Sequence, residues 1–237
     1  NIIVWLIRFS PSSKKWFWKF WYNLFAKKST SHEFRFMNYG YHEFGFYPEL
    51  SKRDEDERYP IQLYHHTATQ VNISNMDLLE VGSGRGGGAS YIQKHLNTKT
   101  VTGLDISSNA VDLSNSSFDT PGLTYIEGDS ENLPFEDNRF DVVLNVESSH
   151  CYGNIEKFVY EVGRVLKKGG VLRLAVPDFE VYSNLYQKGI LDLDNFIGPL
   201  YGKWEMTEKQ TIYHMKALRL SYLEVQGKER SNNLGFC

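Results

Sequence analysis

The chain has 237 residues and a formal net charge of −3, with 41% hydrophobic and 23% charged residues. This composition excludes a disordered chain and an integral membrane bundle, and the acidic balance argues against a dedicated nucleic-acid binder, which needs surplus Lys and Arg to neutralise phosphate. The two cysteines, Cys151 and Cys237, form no CxxC pair, so neither a disulfide scaffold nor a cysteine-built zinc site is expected, and a reducing, cytoplasmic compartment fits.

Residues 1–28 stand apart in composition. They hold four of the five tryptophans (Trp5, Trp16, Trp18 and Trp21), six basic residues and no acid. Phe17, Phe20, Trp21, Leu24 and Phe25 recur with the spacing of one helix face. An aromatic, basic helix of this kind lies in a membrane interface, with rings at the acyl boundary and lysines near anionic lipid. The alternative is that the rings dock onto the rest of the domain. The run Ile2–Ile7 is too short to span a bilayer and lacks a clear signal-peptide cleavage site. Asn1 is not a start methionine, which leaves open whether residues precede it in the native chain.

A charged linker, SKRDEDER at Ser51–Arg58, is expected to be solvated, and Ile61–Val71 reads as a helix. Strands and helices then alternate. Strands are predicted at Asp77–Val81, Thr100–Leu104, Leu123–Glu127, Phe140–Val146 and Val171–Val176, with helices at Gly87–Leu96, Asn109–Phe118 and Ile155–Leu166. The last of these is expected to end on a basic turn and glycine stop, Lys167-Lys168-Gly169-Gly170. This succession implies a doubly wound, parallel sheet. Beyond Asp178 the rhythm is lost. Helices at Glu180–Lys188 and Lys209–Leu220 and late strands at Ser221–Gln226 and Leu234–Cys237 are expected, with the segment between acting as a lid.

The sharpest local signal is Glu80-Val81-Gly82-Ser83-Gly84-Arg85-Gly86-Gly87-Gly88, after a strand and opening a helix. Glycines there permit a tight turn and close approach of a ligand. Gly82, Gly84 and Gly87 also satisfy GxGxxG, so glycine spacing alone leaves a dinucleotide open. The acids around it are more informative. Glu80, two residues before the first glycine, would repel a pyrophosphate and favour an ammonium, directly or through water. Asp105 ends the second strand, 21 residues after Gly84, where a carboxylate accepts ribose hydroxyls. Asp129 and Ser130 follow the third strand, where an acid can accept an adenine amino group. Acceptors for an amine, a ribose and an adenine, without a Lys or Arg phosphate clamp, fit S-adenosylmethionine (SAM). Each acid could instead be a cap or turn former.

The runs LLEVGSGRGGGASYI, GLDIS, GDSENLPFEDNRFDVVLNVESSHCY and EVGRVLKKGG resemble class I SAM-dependent methyltransferases. The runs resemble in particular the mycobacterial phthiotriolone dimycocerosate methyltransferases and, more distantly, sterol C-24 methyltransferases. The likeness covers roughly residues 38–176. The resemblance implies a Rossmann-like α/β fold with a seven-stranded, mostly parallel sheet, flanked by an N-terminal amphipathic helix and a helical lid. It divides the chain into an extension (1–58), a SAM-binding core (59–178) and a lid with late strands (179–237). It implies that Glu80, Gly82, Ser83 and Gly84 line the methionine side, Asp105 and Ile106 the ribose, and Asp129 and Ser130 the adenine. Tyr39 and Tyr41, in a tyrosine-rich segment similar to that of sterol and cyclopropane-type enzymes, are then candidates to close over the sulfonium through cation–π attraction.

Asn145-Val146-Glu147-Ser148-Ser149-His150 follows the fourth strand, where donor meets acceptor in such folds, with Asn145 on the cofactor side. An alcohol acceptor needs a base, and His150 is the first candidate because its pKa lies near working pH. Asp178 could orient it, in an arrangement that resembles the His/Asp pair of sugar O-methyltransferases. Glu147 is the alternative base. The expected reaction is SAM-dependent methyl transfer to a hydroxyl of a hydrophobic, lipid- or polyketide-like molecule at a membrane surface, without a metal or nucleic acid. Sterol-type C-methylation is the alternative. An NAD(P)-dependent oxidoreductase and a catalytically inactive scaffold are more remote. His65 and His66 are adjacent in a helix and diverge by about 100°, a poor metal pair.

Overall fold

A computed structural model describes residues 35–176 together with Trp16 and Lys19. The remainder of the aromatic, basic segment, Asp178, and the lid and late strands expected in 179–237 lie outside the described residues. Trp16 and Lys19 are both helical, and the Lys19 ammonium donates to Glu127 at 3.0 Å on the surface.

The elements in chain order are α1 (Arg58–Thr69), β1 (Asp77–Val81), α2 (Gly87–His95), β2 (Thr100–Asp105), α3 (Ser108–Ser117), β3 (Leu123–Glu127), β4 (Phe140–Val146), α4 (Ile155–Val165) and β5 (Leu166–Ala175). The strands form one parallel sheet in the order β3-β2-β1-β4-β5. The described residues therefore supply five strands of the expected seven. The chain runs outward from β1 through β2 to β3, then crosses to β4 and β5 on the other side. The carboxyl edge between β1 and β4 is thus the topological switch point, where such sheets open a crevice.

The strands read as apolar runs because helices cover both faces. Leu78, Val142, Leu144 and Val146 pack with Ile61, Leu63 and Tyr64 of α1 and Ile92 of α2. Leu79, Val81, Leu104 and Val143 pack with Phe158, Val162 and Val165 of α4. The two-residue period puts Glu80 on the first of these faces, among α1 and α2. Phe36 joins that same core, so the segment before the expected boundary at 58 is packed onto the domain.

Local chemistry sets the helix starts. Ser107 accepts from the Ala110 N–H at 3.2 Å and Asn154 from the Lys157 N–H at 2.9 Å. Helix α1 begins three residues earlier than expected, because Pro60 sits in its first turn, where a missing N–H costs nothing.

Two expectations need correction. The linker Ser51–Arg58 is not simply solvated. Asp54 is buried, and Asp54 and Glu57 both pair with Arg35, which supplies the countercharge that lets them leave water. The expected basic last turn and glycine stop of α4 does not form. The helix ends at Val165 and β5 begins at Leu166, with a register shift against β4 and Gly169 at a φ of 80°. Lys167 serves the sheet instead: it donates to Asp77 at 3.2 Å and to Asp141 at 2.9 Å. Arg164 closes the helix, reaching Glu161, Asp137 and the Leu133 and Phe135 carbonyls.

Candidate active site

A cleft open to solvent lies over the carboxyl ends of β1, β2, β3 and β4. Its floor is the turn after β1. Gly82, Gly84 and Gly86 have φ values of 79°, 53° and 82°, in the left-handed region that favours glycine. The Gly82 and Ser83 amides donate to the Leu104 carbonyl at 2.8 and 3.0 Å, which fixes the turn against β2. Gly82, Ser83 and Gly84 all line the cleft.

Asp105, at the end of β2, lines the wall beside Ile106. Its Oδ2 accepts from the Gly84 N–H at 2.8 Å and its Oδ1 from the Ser107 N–H at 2.9 Å. Each oxygen keeps a further lone pair for a ligand hydroxyl. Burial pushes its carboxyl pKa up. Ser130 and Glu131 continue the wall after β3. Asp129 does not line it. Its Oδ1 instead accepts from the Glu131 N–H at 2.9 Å, which shapes the turn that brings Ser130 and Glu131 to the wall.

Glu80 also stands back from the cleft. It is fully buried, its Oε1 accepts from the Tyr64 hydroxyl at 2.6 Å, and Tyr64 is the residue on the wall. Burial raises the Glu80 carboxyl to about 8, against the lowering effect of the Tyr64 bond. The expected carboxylate for an ammonium is thus presented through a tyrosine. Helix α1 supplies that tyrosine, which no motif around the glycine loop signals. Only the buried face of α1 could have pointed to it.

Glu147 is the carboxylate that reaches the wall after β4. It is 7% exposed, and its Oε2 accepts from the Tyr39 N–H at 2.8 Å. Its Oε1 is buried with no hydrogen-bond partner. Burial, partly opposed by the Tyr39 bond, raises its carboxyl to about 8. His150 lies in a short 3₁₀ turn, Ser149–Cys151, half-buried and off the cleft lining, whereas Cys151 and Tyr152 reach it. Asn145 is fully buried and also off the lining.

The segment Arg35–Asn38 forms the opposite wall. The Gly87 N–H meets the Arg35 carbonyl at 3.3 Å, and the Met37 sulfur lies 3.3 Å from where a Cβ on Gly84 would stand. Tyr39 contributes its backbone N–H to Glu147, and its ring is not among the lining groups. Tyr41 turns away, stacking on His66 at 4.4 Å and donating to Glu43. Arg35 is the one cation on the wall among the described residues, and it is held by both Asp54 and Glu57.

This donor set fits SAM better than a dinucleotide. The turn is slim, Asp105 can take a ribose, and the described wall has no free cation for a pyrophosphate. Among the described residues no cluster of three or more His, Cys, Asp or Glu could hold a metal, and no helix is long and apolar enough to cross a membrane.

Comparison with known proteins agrees with this geometry. Residues 79–174 match the methyltransferase domain family. A phthiotriol/phenolphthiotriol dimycocerosates methyltransferase of Mycobacterium leprae is 45% identical over 167 residues, 70% of this chain and 62% of that protein. A fatty-acid O-methyltransferase of Mycolicibacterium smegmatis is 44% identical over 155 residues, 61% of this chain and 56% of that protein. The chain thus spans about three fifths of the length of the curated relatives it matches. A solved structure of a candidate sarcosine dimethylglycine methyltransferase from Galdieria sulphuraria shares the fold, with a TM-score of 0.52 at 19% identity, covering 70% of this chain and 66% of that one.

Proposed function

We propose, from the premise that residues 79–174 are a methyltransferase domain of class I, Rossmann-like architecture, that this chain transfers the methyl group of SAM to a hydroxyl of a hydrophobic, lipid-like acceptor. The names of its relatives support a lipid acceptor. When bound, SAM supplies an electrophilic sulfonium methyl for in-line displacement. The Gly82-Ser83-Gly84 backbone takes the methionine part, with Glu80 acting through Tyr64. Asp105 accepts the ribose hydroxyls beside Ile106, and Ser130 meets the adenine. The opposite wall, Phe36 to Asn38, excludes water.

The observation that carries the reading is Glu147, a buried carboxylate on the cleft wall with one oxygen tied to the Tyr39 N–H and the other without a hydrogen-bond partner. That oxygen is buried in this structure; in this reading it takes the proton of an acceptor hydroxyl once the acceptor is seated against it. The burial that raises its carboxyl to about 8 makes it a stronger base once ionised. Glu147 therefore takes precedence over His150 as base, and His150 is left a supporting place behind the wall. Alignment of the hydroxyl with the methyl carbon, at about 3 Å, supplies much of the rate.

An apolar acceptor is met at a membrane surface, and the aromatic, basic composition of residues 1–28 suits that location. Labelled methyl transfer followed by product analysis tests the chemistry. A methyl ether is expected, whereas a label fixed to carbon assigns the sterol-type reaction. Calorimetry should give heat with SAM and none with NAD; the reverse would overturn the reading. Vesicle pelleting with and without residues 1–28 tests the surface.

A further inference from the structure

Glu147 sits in a backbone conformation that its own chemistry does not favour. Its φ is 50°, a left-handed value uncommon outside glycine, asparagine and aspartate. Such a residue persists only when its surroundings over-determine it. Its N–H donates to the Ala175 carbonyl at 2.8 Å. The next residue, Ser148, sits directly over the first turn of the glycine loop, where its hydroxyl fills the space a Cβ on Gly82 would need.

A compact polar knot lies beneath that contact. Asn145, at the penultimate position of β4, directs Nδ2 to the Ser148 hydroxyl at 2.7 Å, to the Tyr152 hydroxyl at 2.7 Å and to the Val81 carbonyl at 3.0 Å. The Ser148 and Tyr152 hydroxyls lie 3.0 Å apart, and the Ser148 hydroxyl is 3.1 Å from the same Val81 carbonyl. Three side chains on both sides of Glu147 therefore converge on the last carbonyl of β1. The Tyr152 ring also packs edge-on against Phe158 of α4, at 4.9 Å between centroids. The loop is thus pinned to β1 and α4 as well as to its own strand. Buried polar networks rigidify what they hold through their made bonds; here these are the Asn145 Nδ2, Ser148 and Tyr152 contacts, while the Asn145 Oδ1 is buried without a hydrogen-bond partner.

We propose that Asn145 is a positioning residue that, through Ser148 and Tyr152, holds the loop presenting the Glu147 carboxylate to the cleft. The inference rests on the reading of Glu147 given above. Asn145 itself is fully buried and lines no part of the cleft. Its loss therefore removes no group from the wall, and any catalytic effect must pass through the loop. The sequence suggested a cofactor contact for this residue; its bonds assign it a bracket instead.

The test uses the full chain and compares Asn145→Ala, Tyr152→Phe and Glu147→Gln. Tyr152→Phe keeps the ring and removes only the hydroxyl, so it keeps the proposal testable where Asn145→Ala fails to fold. Three quantities are read: SAM affinity by calorimetry, ionisation of Glu147 by carboxyl carbon NMR, and labelled methyl transfer to a long-chain diol in detergent micelles. For Asn145→Ala the Glu147 midpoint should fall toward ordinary carboxylate values by about one pH unit or more, as water reaches the loosened loop. Transfer should slow on the order of 10- to 100-fold, the scale of a small misplacement at a reacting centre, with SAM affinity held within about threefold. Tyr152→Phe should move the same quantities in the same direction by less. A lowered melting temperature with an unmoved Glu147 midpoint and an unchanged transfer rate would make Asn145 merely structural and overturn the proposal. Full transfer by Glu147→Gln would instead remove the base assignment. A displaced Glu147 midpoint in Asn145→Ala would still support the positioning role in that event, so the two failures are distinguishable.

Discussion

At the N-terminal end of the sheet, Asp77 is surrounded by cations: Lys99 at 3.1 Å, Lys167 at 3.2 Å and Arg139 at 3.7 Å. Three residues further along the same strand, Glu80 has a tyrosine for a partner, and no cation pairs with Glu80, Asp105 or Glu147 among the described residues. The electrostatic result is opposite at the two ends. Hydrogen bonds from Thr100, Lys99 and Lys167 outweigh burial and hold Asp77 at about 2, whereas burial drives Glu80 and Glu147 up to about 8. The lower end spends its charges on one another and contributes to folding. The upper end keeps carboxylates without counterions, a destabilising arrangement of the kind that gathers at functional sites; Asp105 and Glu147 reach the cleft wall, and Glu80 stands behind Tyr64.

Glu147→Gln offers the strongest way to break this contrast. Methyl transfer should fall on the order of 10²- to 10⁴-fold, the usual contribution of a general base, while thermal stability at pH 8 stays level or rises, because a buried ionisable group has been made neutral. A destabilised Gln variant would show that Glu147 serves the fold as Asp77 does. Asp105→Ala should weaken SAM binding by roughly 10- to 100-fold in calorimetry, the value of one or two charge-assisted hydrogen bonds. Unchanged affinity would remove Asp105 from the ribose site.

The pH dependence sharpens the comparison, since the two ends must respond with opposite sign. A protonated Glu147 cannot accept a proton, so transfer should rise about tenfold per pH unit and level off above about 8. Its raised carboxyl acts on stability in the other direction: the neutral form favours folding below the ordinary value of 4.5, and that advantage is lost as pH climbs through about 8. Asp77 is depressed, so its stabilisation is present above 3.8 and lost as pH falls through about 2. Asp77→Asn should therefore cost about 1–2 kcal/mol at neutral pH, after allowance for its exposed and screened partners. That difference should vanish in strong acid, with SAM affinity unchanged throughout, as denaturant titrations at several pH values can measure.

Much of the architecture was legible in the residues. The β1, β3 and β4 bounds match the residues expected for them, β1 and β3 each closed by a glycine, Gly82 and Gly128, and β4 standing out as an apolar run. Gly82, Ser83, Gly84, Asp105, Ile106 and Ser130 reach the cleft as their places at strand ends imply. What sequence could not supply was depth. Glu80, Asp129 and Asn145 occupy the right loops and strands, yet none of the three lines the cleft and each bonds a neighbour that does, which depends on which way each side chain turns. The proposed preference for Glu147 over His150 rests on the same issue: histidine has the intrinsic pKa for a base, and burial brings a glutamate into the same range. The Lys167-Lys168-Gly169-Gly170 run misled because basic residues and glycines end helices and also build bulged strands. Only the acids Asp77 and Asp141, distant in sequence, decide between those uses.

The bond from the Tyr39 N–H to Glu147 joins positions 108 apart in the chain. It gives the protein a spectator of its own chemistry. The resonance frequency of the Tyr39 amide proton should move with the ionisation of the carboxylate that accepts it, so a single backbone signal, followed through a titration or a turnover, reads out that carboxylate without substrate analogue, dye or label on the acid itself.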